Sequence, residues 1–264
     1  MRARGAIVLL AAGLALAGCA STDPSPDAAS GTQAAGASTQ TSDANSSAPA
    51  DDANDPFEGA NRIAFSFNMK LDRYFVKPSA EAYVDVVPEP ARNGMHNFLD
   101  NLDLPVTFAN DVLQGEGDRA GQTMSRFAIN STIGVGGIFD WASDFGIPNH
   151  SEDFGQTLGV YGVGEGPYLV LPIFGPDPPR DLVGQVADVF LDPFTYVKLR
   201  EHGWYSAGRA YFSLLDLRSR NLGTLEDIER SSVDYYASVR SLYRQLRNNE
   251  IRNGKTDVKD LPSF

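Results

Sequence analysis

Cysteine and histidine are scarce in this 264-residue sequence, and their scarcity limits its chemistry. Cys19 is the only cysteine, so no disulfide can form within the chain. The three histidines, His96, His150 and His202, are far apart, and none has another histidine or a cysteine at helical spacing. We therefore expect each histidine at the surface or in a polar contact, and we expect no metal and no cofactor.

Basic residues are also in the minority. The chain has 22 Lys and Arg against 34 Asp and Glu, a net charge of −12. This balance argues against binding to nucleic acid through its phosphates. It argues equally against simple electrostatic binding to anionic lipid headgroups. No nucleic-acid partner is expected, and any membrane contact must be apolar or made through a covalent lipid.

Catalytic motifs are missing as well. There is no Gly-x-Ser-x-Gly elbow of a lipase or esterase and no Gly-x-x-x-x-Gly-Lys phosphate loop. Gly162 and Gly164 match the start of the dinucleotide-binding fingerprint Gly-x-Gly-x-x-Gly, but Pro167 stands where its third glycine belongs. The acid pairs Asp100/Asp103 and Glu152/Asp153 lie beside expected turns, where helix capping explains them better than acid–base catalysis. No catalytic residue is predicted, and binding, transport or structure is favoured over an enzyme.

The first 18 residues are typical of an export signal. Arg2 and Arg4 precede an apolar stretch at residues 6–17, which is too short to cross a hydrocarbon core of about 30 Å. The stretch ends in Leu-Ala-Gly directly before Cys19, which resembles the bacterial lipobox. Cleavage before Cys19 and acylation of its thiol are predicted. The alternative is an ordinary secretory signal with a chance cysteine.

The layout of the mature chain follows from its composition. Loss of Arg2 and Arg4 leaves 20 basic against 34 acidic residues, a net charge of −14. Residues 19–54 form the predicted lipidated linker, which should be disordered because residues 20–54 have no aromatic or large aliphatic side chain. Residues 55–254 suffice for one domain, and residues 255–264 are expected to be a flexible tail.

Helical periodicity runs through residues 55–254, so the fold is predicted to be mainly α. Asp55 is expected to cap the first helix, and Ile63, Phe67 and Tyr74 fall on one face of that helix. The helix at 118–133 is expected to turn four apolar residues inward, namely Ala120, Met124, Phe127 and Ala128. Further helices are expected at 79–87, 90–99, 104–113, 118–133, 180–190 and 204–221. Gly115 should end one of them as a C-terminal cap.

The longest helix is expected last, at residues 224–249. Its apolar positions keep helical spacing, and its opposite face is charged, with Glu229, Arg230, Arg240, Arg244 and Arg247. A solvated face is the predicted role of these charges, and a surface that docks a partner is the alternative.

Glycine and apolar residues alternate in the region between 134 and 175. Four glycines fall at 159, 162, 164 and 166, followed by the apolar run 168–174. Such a segment cannot be one helix, and it favours two short extended pieces around 162–166, as in a short β-hairpin, or a bent loop. The run is either buried core or membrane-facing surface, and the sequence leaves the two equally open.

Several long motifs together carry a resemblance to a known family. They are Asp-Pro-Phe-Glu-Gly-Ala-Asn-Arg from residue 55, Val-Pro-Glu-Pro-Ala-Arg-Asn-Gly from 87, Leu-Gln-Gly from 113, Arg-Phe-Ala-Ile-Asn-Ser-Thr-Ile-Gly from 126, Phe-Gly-Gln-Thr-Leu-Gly-Val-Tyr-Gly-Val-Gly from 154, Gly-Pro-Tyr from 166 and Ser-Ser-Val-Asp-Tyr-Tyr from 231. With these motifs, residues 55–254 resemble the MlaA (VacJ) family of outer-membrane lipoproteins.

The resemblance implies a single ring-shaped helical domain in the inner, periplasm-facing leaflet of the outer membrane. Its central amphipathic channel would remove phospholipid misplaced in the outer leaflet. Family members work beside trimeric porins and pass lipid to a soluble periplasmic carrier. We expect the channel and its gate near residues 134–175, with Gly162, Gly164, Gly166 and Pro167 as candidate hinge residues. A structural lipoprotein that scaffolds porins, or a membrane-anchored enzyme acting on lipid, is the alternative function.

Overall fold

The structure is a computed structural model that describes residues 54–196 and 202–253. The predicted signal peptide, the lipidated Cys19, the linker up to residue 53 and the tail at 255–264 lie outside these residues. The first half of the described chain contains α1 (Glu58–Leu71), a π-helical turn (Asp72–Val76), α2 (Lys77–Val86), α3 (Glu89–Gln114) and α4 (Gly117–Thr132). The second half contains α5 (Trp141–Asp144), α6 (Phe154–Val160), β1 (Val170–Leu171), β2 (Gly175–Pro176), α7 (Pro179–Leu191), a 3₁₀ turn (Pro193–Thr195), α8 (His202–Arg220), α9 (Leu222–Ser231) and α10 (Tyr235–Ile251).

A mainly α fold is therefore confirmed, but its first helix does not begin as predicted. Phe57 occupies the cap position of α1, and no side chain caps this helix end. The Asp55 carboxylate is turned into the body instead, where it accepts a hydrogen bond from Arg240 Nη1 at 2.9 Å. The predicted N-cap role of Asp55 is wrong because a buried cation outcompetes the helix terminus for this carboxylate.

Helix α3 is one helix where two were expected. It runs 26 residues through Pro105 and ends at Gly115, whose φ of 76° makes the predicted left-handed cap. Proline inside a helix removes one backbone hydrogen bond and normally kinks or ends it. Here, α4, α7 and α8 all pack along α3, and Leu104 and Val106 on either side of Pro105 are buried. Packing therefore holds the helix together through the proline.

The glycine-rich region is a bent loop followed by a hairpin. Residues 162–169 form no regular element. The hairpin lies just beyond them, with Val170 opposite Pro176 and Leu171 opposite Gly175 in an antiparallel pair. The bent loop is confirmed, and the extended pieces predicted around 162–166 are displaced to 170–176.

The last predicted helix is broken in two. Helix α9 ends at Ser231, and α10 begins after Asp234, whose side chain accepts a hydrogen bond from the backbone N–H of Ala237. This aspartate supplies the N-cap that a new helix needs. The longest helix of the described chain is consequently α3 and not the last one.

The helices expose apolar side chains and bury polar ones. On α1, Ile63 and Phe67 are 75% and 49% exposed, whereas Asn61 and Asn68 are buried. On α4, Met124 is exposed, whereas Thr123, Arg126 and Asn130 are buried. The inward face predicted for α4 is therefore correct at Ala120 and wrong at Met124, and the apolar face of α1 points outward. Helical periodicity identifies the apolar face of a helix. The medium around the domain decides whether that face points inward or outward.

A small aromatic core lies under α1 and α10. Phe65, Tyr168, Tyr236 and Tyr243 are buried together with Val170 and Val239, and their rings meet edge to face. Among the described residues, no helix is both long enough and apolar enough to cross a bilayer.

Candidate functional site

Helix α10 carries three arginines that point into the protein. Arg240, Arg244 and Arg247 are only 7%, 5% and 6% exposed. The prediction of a solvated charged face is therefore wrong for these three residues. Their spacing of three and four residues places them on one side of α10, and each contacts an acid from a different segment.

Arg240 holds the segment before α1. Its Nη1 lies 2.9 Å from Asp55 Oδ2, and the Tyr236 hydroxyl donates to the same oxygen. Asn61 donates to the other carboxylate oxygen at 2.7 Å. The Asp55 side chain is thereby fully enclosed, and it fixes the start of the domain to α10.

Arg244 holds the glycine-rich loop. Its Nη2 lies 2.6 Å from Glu165 Oε1, which also accepts a hydrogen bond from Asn54 Nδ2 at 3.1 Å. Asn54 Nδ2 further donates to the Gly166 carbonyl at 2.7 Å, and the Tyr168 N–H donates to the Asn54 carbonyl. The loop is thus bound both to α10 and to Asn54, the first residue that the structure describes.

Arg247 binds two carboxylates that belong to α6 and α7. It donates to both Asp153 oxygens at 2.8 and 2.9 Å and to Asp181 at 2.9 Å. Tyr243 also donates its hydroxyl to Asp181. Burial opposes ionisation of both acids, but the guanidinium overrides it and keeps the pKa of Asp153 and of Asp181 below the usual value. Charged carboxylates therefore tie these two helices to α10.

Two asparagines of α1 hold the strand β1. Asn61 donates to the Tyr168 carbonyl and accepts from the Val170 N–H, each at 2.9 Å. Asn68 donates to the Leu171 carbonyl at 2.9 Å and accepts from the Ile173 N–H at 2.6 Å. Seven helical residues rise about 10.5 Å, close to the roughly 10 Å that three strand residues span. Each side-chain amide therefore pairs with the backbone as a neighbouring strand would.

The hinge candidates lie in the loop that these contacts surround. Gly162 and Gly166 have φ of 84° and 79°, in the left-handed region that favours glycine. A Cβ on Gly162 or Gly164 would meet no atom within 4 Å, whereas one on Gly166 would lie 3.2 Å from the Pro179 ring. Gly162, Gly164 and Gly166 are exposed and Pro167 is half-buried. The loop is therefore open on the outside and anchored at Glu165 and Tyr168.

A cavity of about 310 Å³ lies beside this ion-pair cluster. Its walls come from α3, α8, α10 and the start of α6. Most of the lining residues are polar or charged, but the wall surface itself is mainly apolar, and Leu99, Leu217 and Leu246 are part of it. The hinge candidates do not, and of residues 134–175 only 151–153 and Gln156 contribute.

The electrostatics of the cavity are dominated by acids. Asp100, Asp103, Glu152, Asp153, Asp216 and Glu250 line it, against His96 and Arg247. His96 Nδ1 and Asp216 Oδ2 are 2.8 Å apart, and this hydrogen bond raises the pKa of His96. Burial raises the pKa of Asp100, which lies 3.5 Å from His96 Nε2.

The family model for MlaA lipoproteins matches residues 53–250. A solved structure from work on the structural basis for maintenance of bacterial outer membrane lipid asymmetry is 37% identical. It superimposes with a TM-score of 0.68, covering 75% of this chain and 98% of that one. The chain belongs to the MlaA family.

Relatives in the MlaA family support this over most of their length. The intermembrane phospholipid transport system lipoprotein MlaA of Escherichia coli K12 is 38% identical over 208 residues, which are 76% of this chain and 79% of the relative. The protein with the same description in Haemophilus influenzae is 35% identical over 213 residues, which are 76% and 81%.

The buried ion pairs of α10 are the part of the site that the sequence did not predict. Asp55, Asp181 and the arginines of α10 are all present in the motifs that carry the family resemblance or close to them. One signal could have revealed them, because Arg240, Arg244 and Arg247 share one side of α10 with the buried Tyr236 and Tyr243. Arginines on an aromatic face indicate buried pairs rather than solvated charges.

The remaining sequence predictions about polar residues have mixed outcomes. Asp153 does cap α6, since its side chain accepts from the Gln156 N–H. Asp100 lies in the middle of α3 and caps nothing. His96 and His150 both make polar contacts, as predicted; the side chain of His202 lies outside the described part of the chain. Within 54–196 and 202–253, no three His, Cys, Asp or Glu side chains are grouped to hold a metal.

Proposed function

We propose that this chain is an outer-membrane lipoprotein that moves phospholipid out of the outer leaflet and so maintains lipid asymmetry. Relatives that match most of the chain are named intermembrane phospholipid transport system lipoproteins. The observation that carries the proposal is the inverted pattern of burial, with asparagines and arginines inside and large apolar side chains outside. Such a surface suits contact with lipid and is unusual for a domain that is surrounded by water.

Two strained turns support a membrane-facing surface. Val135 and Ile173 are β-branched residues with φ of 55° and 73°, a conformation that such residues rarely adopt. Both side chains are exposed. Strain of this kind costs on the order of 1–3 kcal/mol, and contact of the displayed side chain with acyl chains would offset it.

The cavity supports passage of a polar headgroup. It combines carboxylates with three leucines, which suits a molecule that has a charged end and an apolar end. We propose that it forms part of a central amphipathic channel in a ring-shaped domain, with Gly162, Gly164, Gly166 and Pro167 as the hinge of its gate. Transport of this kind requires no chemical step, and the proposal assigns none to the chain.

The anchoring and the partners form part of the same proposal. Lipid on Cys19 would hold the chain at the outer membrane, and the apolar surface of the body would seat it in the inner, periplasm-facing leaflet. A trimeric porin would hold the body beside a pore, and a periplasmic lipid carrier would receive the phospholipid. The acidic balance of the chain favours these apolar contacts over electrostatic attachment to anionic headgroups.

Complementation tests the proposal directly. A Gram-negative strain without its own MlaA-family lipoprotein should expose phosphatidylethanolamine to a membrane-impermeant amine reagent on intact cells. Expression of this chain should return that labelling to the wild-type level, and Cys19→Ser should not. Unchanged labelling with the full chain present at normal abundance would exclude the proposed transport.

The two alternative functions give different results in reconstitution. Purified chain in vesicles of labelled phospholipid should release neither fatty acid nor headgroup; release of either would indicate a lipid-acting enzyme. A scaffold would co-purify with porin, yet its deletion would leave outer-leaflet lipid unchanged.

A further inference from the structure

Asn54 binds the glycine-rich loop through both its side chain and its backbone. The two hydrogens of its Nδ2 are donated to Glu165 Oε1 at 3.1 Å and to the Gly166 carbonyl at 2.7 Å. The Asn54 carbonyl accepts the Tyr168 N–H at 3.0 Å. The bonds to Gly166 and Tyr168 lie on either side of Pro167, so one residue holds two of the hinge candidates in place.

The next residue along the chain is held by a separate set of contacts. The Asp55 side chain is only 1% exposed, and it accepts hydrogen bonds from side chains of α1 and α10, namely Asn61, Tyr236 and Arg240. None of these three partners belongs to the loop. A displacement of the chain before the domain would therefore move Asn54 and stop at Asp55, and α1 would keep its position.

The contacts of Asn54 are easier to break than those of Asp55. Gly166 is exposed, and its hydrogen bond from Asn54 lies at the surface, where water can replace the donor. Separation of Asp55 from Arg240 would instead leave an unpaired charge inside the protein. Local opening occurs where few buried contacts are lost, so the loop can come away from Asn54 while the rest of the domain stays folded.

Asn54 is also the last residue of the predicted lipidated linker. A flexible coil of the length of residues 20–53 spans about 30–35 Å r.m.s. between the acylated Cys19 and the domain. Such a coil is slack while the domain lies close to the leaflet, and it pulls on Asn54 when the domain moves farther away. The pull would reach the glycine-rich loop first, because Asn54 is bound to this loop.

We propose that Asn54 is a latch through which the lipid-anchored linker controls the glycine-rich loop. With a slack linker, Asn54 stays on the loop and fixes Gly166 and Pro167; with a taut linker, it leaves and frees them. The proposal rests on the proposed function, because it assumes a lipid on Cys19 and a gate in this loop. It adds a regulation to that gate, in which the distance between the domain and its anchor sets how often the loop opens.

Hydrogen exchange in a chain with a shortened linker tests the latch. Deletion of residues 22–51 leaves residues 20, 21, 52 and 53 between Cys19 and Asn54, a stretch that reaches at most about 18 Å. The full-length and shortened chains, each either lipidated or carrying Cys19→Ser, are reconstituted in phospholipid vesicles, and exchange at residues 163–169 is followed by mass spectrometry.

The shortened lipidated chain should differ from the other three proteins. We expect its residues 163–169 to exchange about tenfold faster than those of the full-length lipidated chain, the effect of losing one or two surface hydrogen bonds. Without the lipid, both chains should exchange at the slow rate. Helix α3 should be protected equally in all of them, because Asp55 keeps the strain out of the helices.

Replacement of Asn54 separates a latch from a merely structural contact. Asn54→Ala removes both side-chain donors, so residues 163–169 of the full-length chain should exchange about tenfold faster with or without the lipid. In the shortened lipidated chain the same substitution should add less than about twofold, because the bonds it removes are already broken. The control is Asn249→Ala, exposed on α10, which should exchange like the wild type. A merely structural contact would respond to Asn54→Ala and not to linker length.

The outcomes separate the latch from the function beneath it. Equal exchange in the shortened chain with and without its lipid would overturn the latch, and this comparison changes no residue of the folded domain. Cells that carry the shortened chain should also lose lipid asymmetry; faster exchange with normal asymmetry would keep the latch and overturn the loop as the gate. Failure of the full-length chain in complementation would overturn the transport proposal, while the exchange comparison still decides the latch.

Discussion

Arg244 Nη2 lies 2.6 Å from Glu165 Oε1, and through this pair the final helix holds the glycine-rich loop. The guanidinium is almost completely buried, whereas the carboxylate is about a quarter exposed. The same carboxylate oxygen accepts from Asn54. The ion pair is therefore the link between this loop and α10, beside the hydrogen bonds that join Asn54 to Gly166 and Tyr168.

Replacement of Glu165 by Gln should loosen this loop selectively. Loss of a hydrogen bond to a charged group costs about 1.5–3 kcal/mol, here reduced by partial exposure. Hydrogen exchange at residues 163–168 should accelerate, while α3 and α4 keep their protection. The matched control is Glu81→Gln, whose carboxylate is exposed and 3.9 Å from Lys77. Faster exchange throughout the protein would contradict a local tether.

Replacement of Asp55 by Asn distinguishes a buried ion pair from a helix cap. Asparagine caps a helix as well as aspartate does, so a cap would tolerate this change. Since Asp55 is paired with buried Arg240, we expect a loss of about 3–5 kcal/mol in unfolding free energy, measured by denaturant titration in detergent. Asp85→Asn should change it by less than about 0.5 kcal/mol. Equal stability of the two variants would refute the ion-pair assignment.

Valine substitutions at the three loop glycines should differ in their effect on folding. Gly166→Val meets the Pro179 ring and a positive φ, and Gly162→Val meets a positive φ alone. Each should cost on the order of 1–3 kcal/mol from backbone strain, with Gly166→Val the more costly. Gly164→Val has open space and no positive φ, so the protein should retain its stability and abundance.

Gly164→Val is therefore the cleanest test of the hinge hypothesis. Lipid asymmetry should be impaired although the amount of folded protein is unchanged. Gly117→Val, which also has open space around it, serves as the control outside the loop. Normal asymmetry in Gly164→Val cells would remove the loop from the gating mechanism.

Asp177 should make stability depend on pH. Its carboxyl is buried beside Asp181, and burial, followed by the Asp181 charge, raises its pKa to about 7. Gln185 donates to Oδ1, and Arg247 and Asp153 also act on its charge. The unfolded chain releases this proton near pH 4, so the native state binds the extra proton between about pH 4 and 7. The contribution of Asp177 to stability must therefore fall as pH rises through that window.

Asp177→Asn should remove this dependence. The variant should gain stability relative to the wild type at pH 8 and show a smaller difference between pH 5 and pH 8. Thermal midpoints of both proteins at the two pH values provide the measurement. An identical difference in the two proteins would show that Asp177 does not carry the effect.

The outward face of α7 should be shielded in cells. Leu182, Val183, Val186 and Phe190 are all exposed on this helix. If Cys19 is acylated, an introduced cysteine is the only free thiol, since the chain has no other. Apolar surroundings disfavour the reactive thiolate, so Val183→Cys should react at least about tenfold more slowly with a water-soluble maleimide than Gln245→Cys on the exposed side of α10. Equal rates in intact membranes would argue that α7 faces water.

The positions of the helices could be predicted from sequence, but their orientation could not. The helical spacing that places Ile63 and Phe67 on one face of α1 can be read from the sequence alone. The direction of that face depends on whether water or lipid surrounds the domain, and the pattern contains no such information. The family resemblance implied a membrane-facing body, yet the inward face predicted for α4 assumed that water surrounds the domain.

The ion pairs escaped prediction for a different reason. Asp55 stands in a Pro-Phe-Glu context that favours an N-cap, and local sequence cannot reveal that Arg240, 185 residues away, competes for it. Pro105 likewise indicated a helix boundary that packing overrode. Gly115 and Asp153 were predicted correctly as helix caps, because their roles depend on neighbours within a few residues.

The pairing of Asn61 and Asn68 with β1 also covers a strand edge at which two copies of the protein could associate. A two-stranded hairpin leaves an unpaired backbone edge to which another chain could add a strand. Here the edge donors and acceptors between Tyr168 and Ile173 are already taken by side-chain amides of α1. Substitution of either asparagine would expose an aggregation-prone edge in an apolar segment, so these residues guard against association as well as holding the fold.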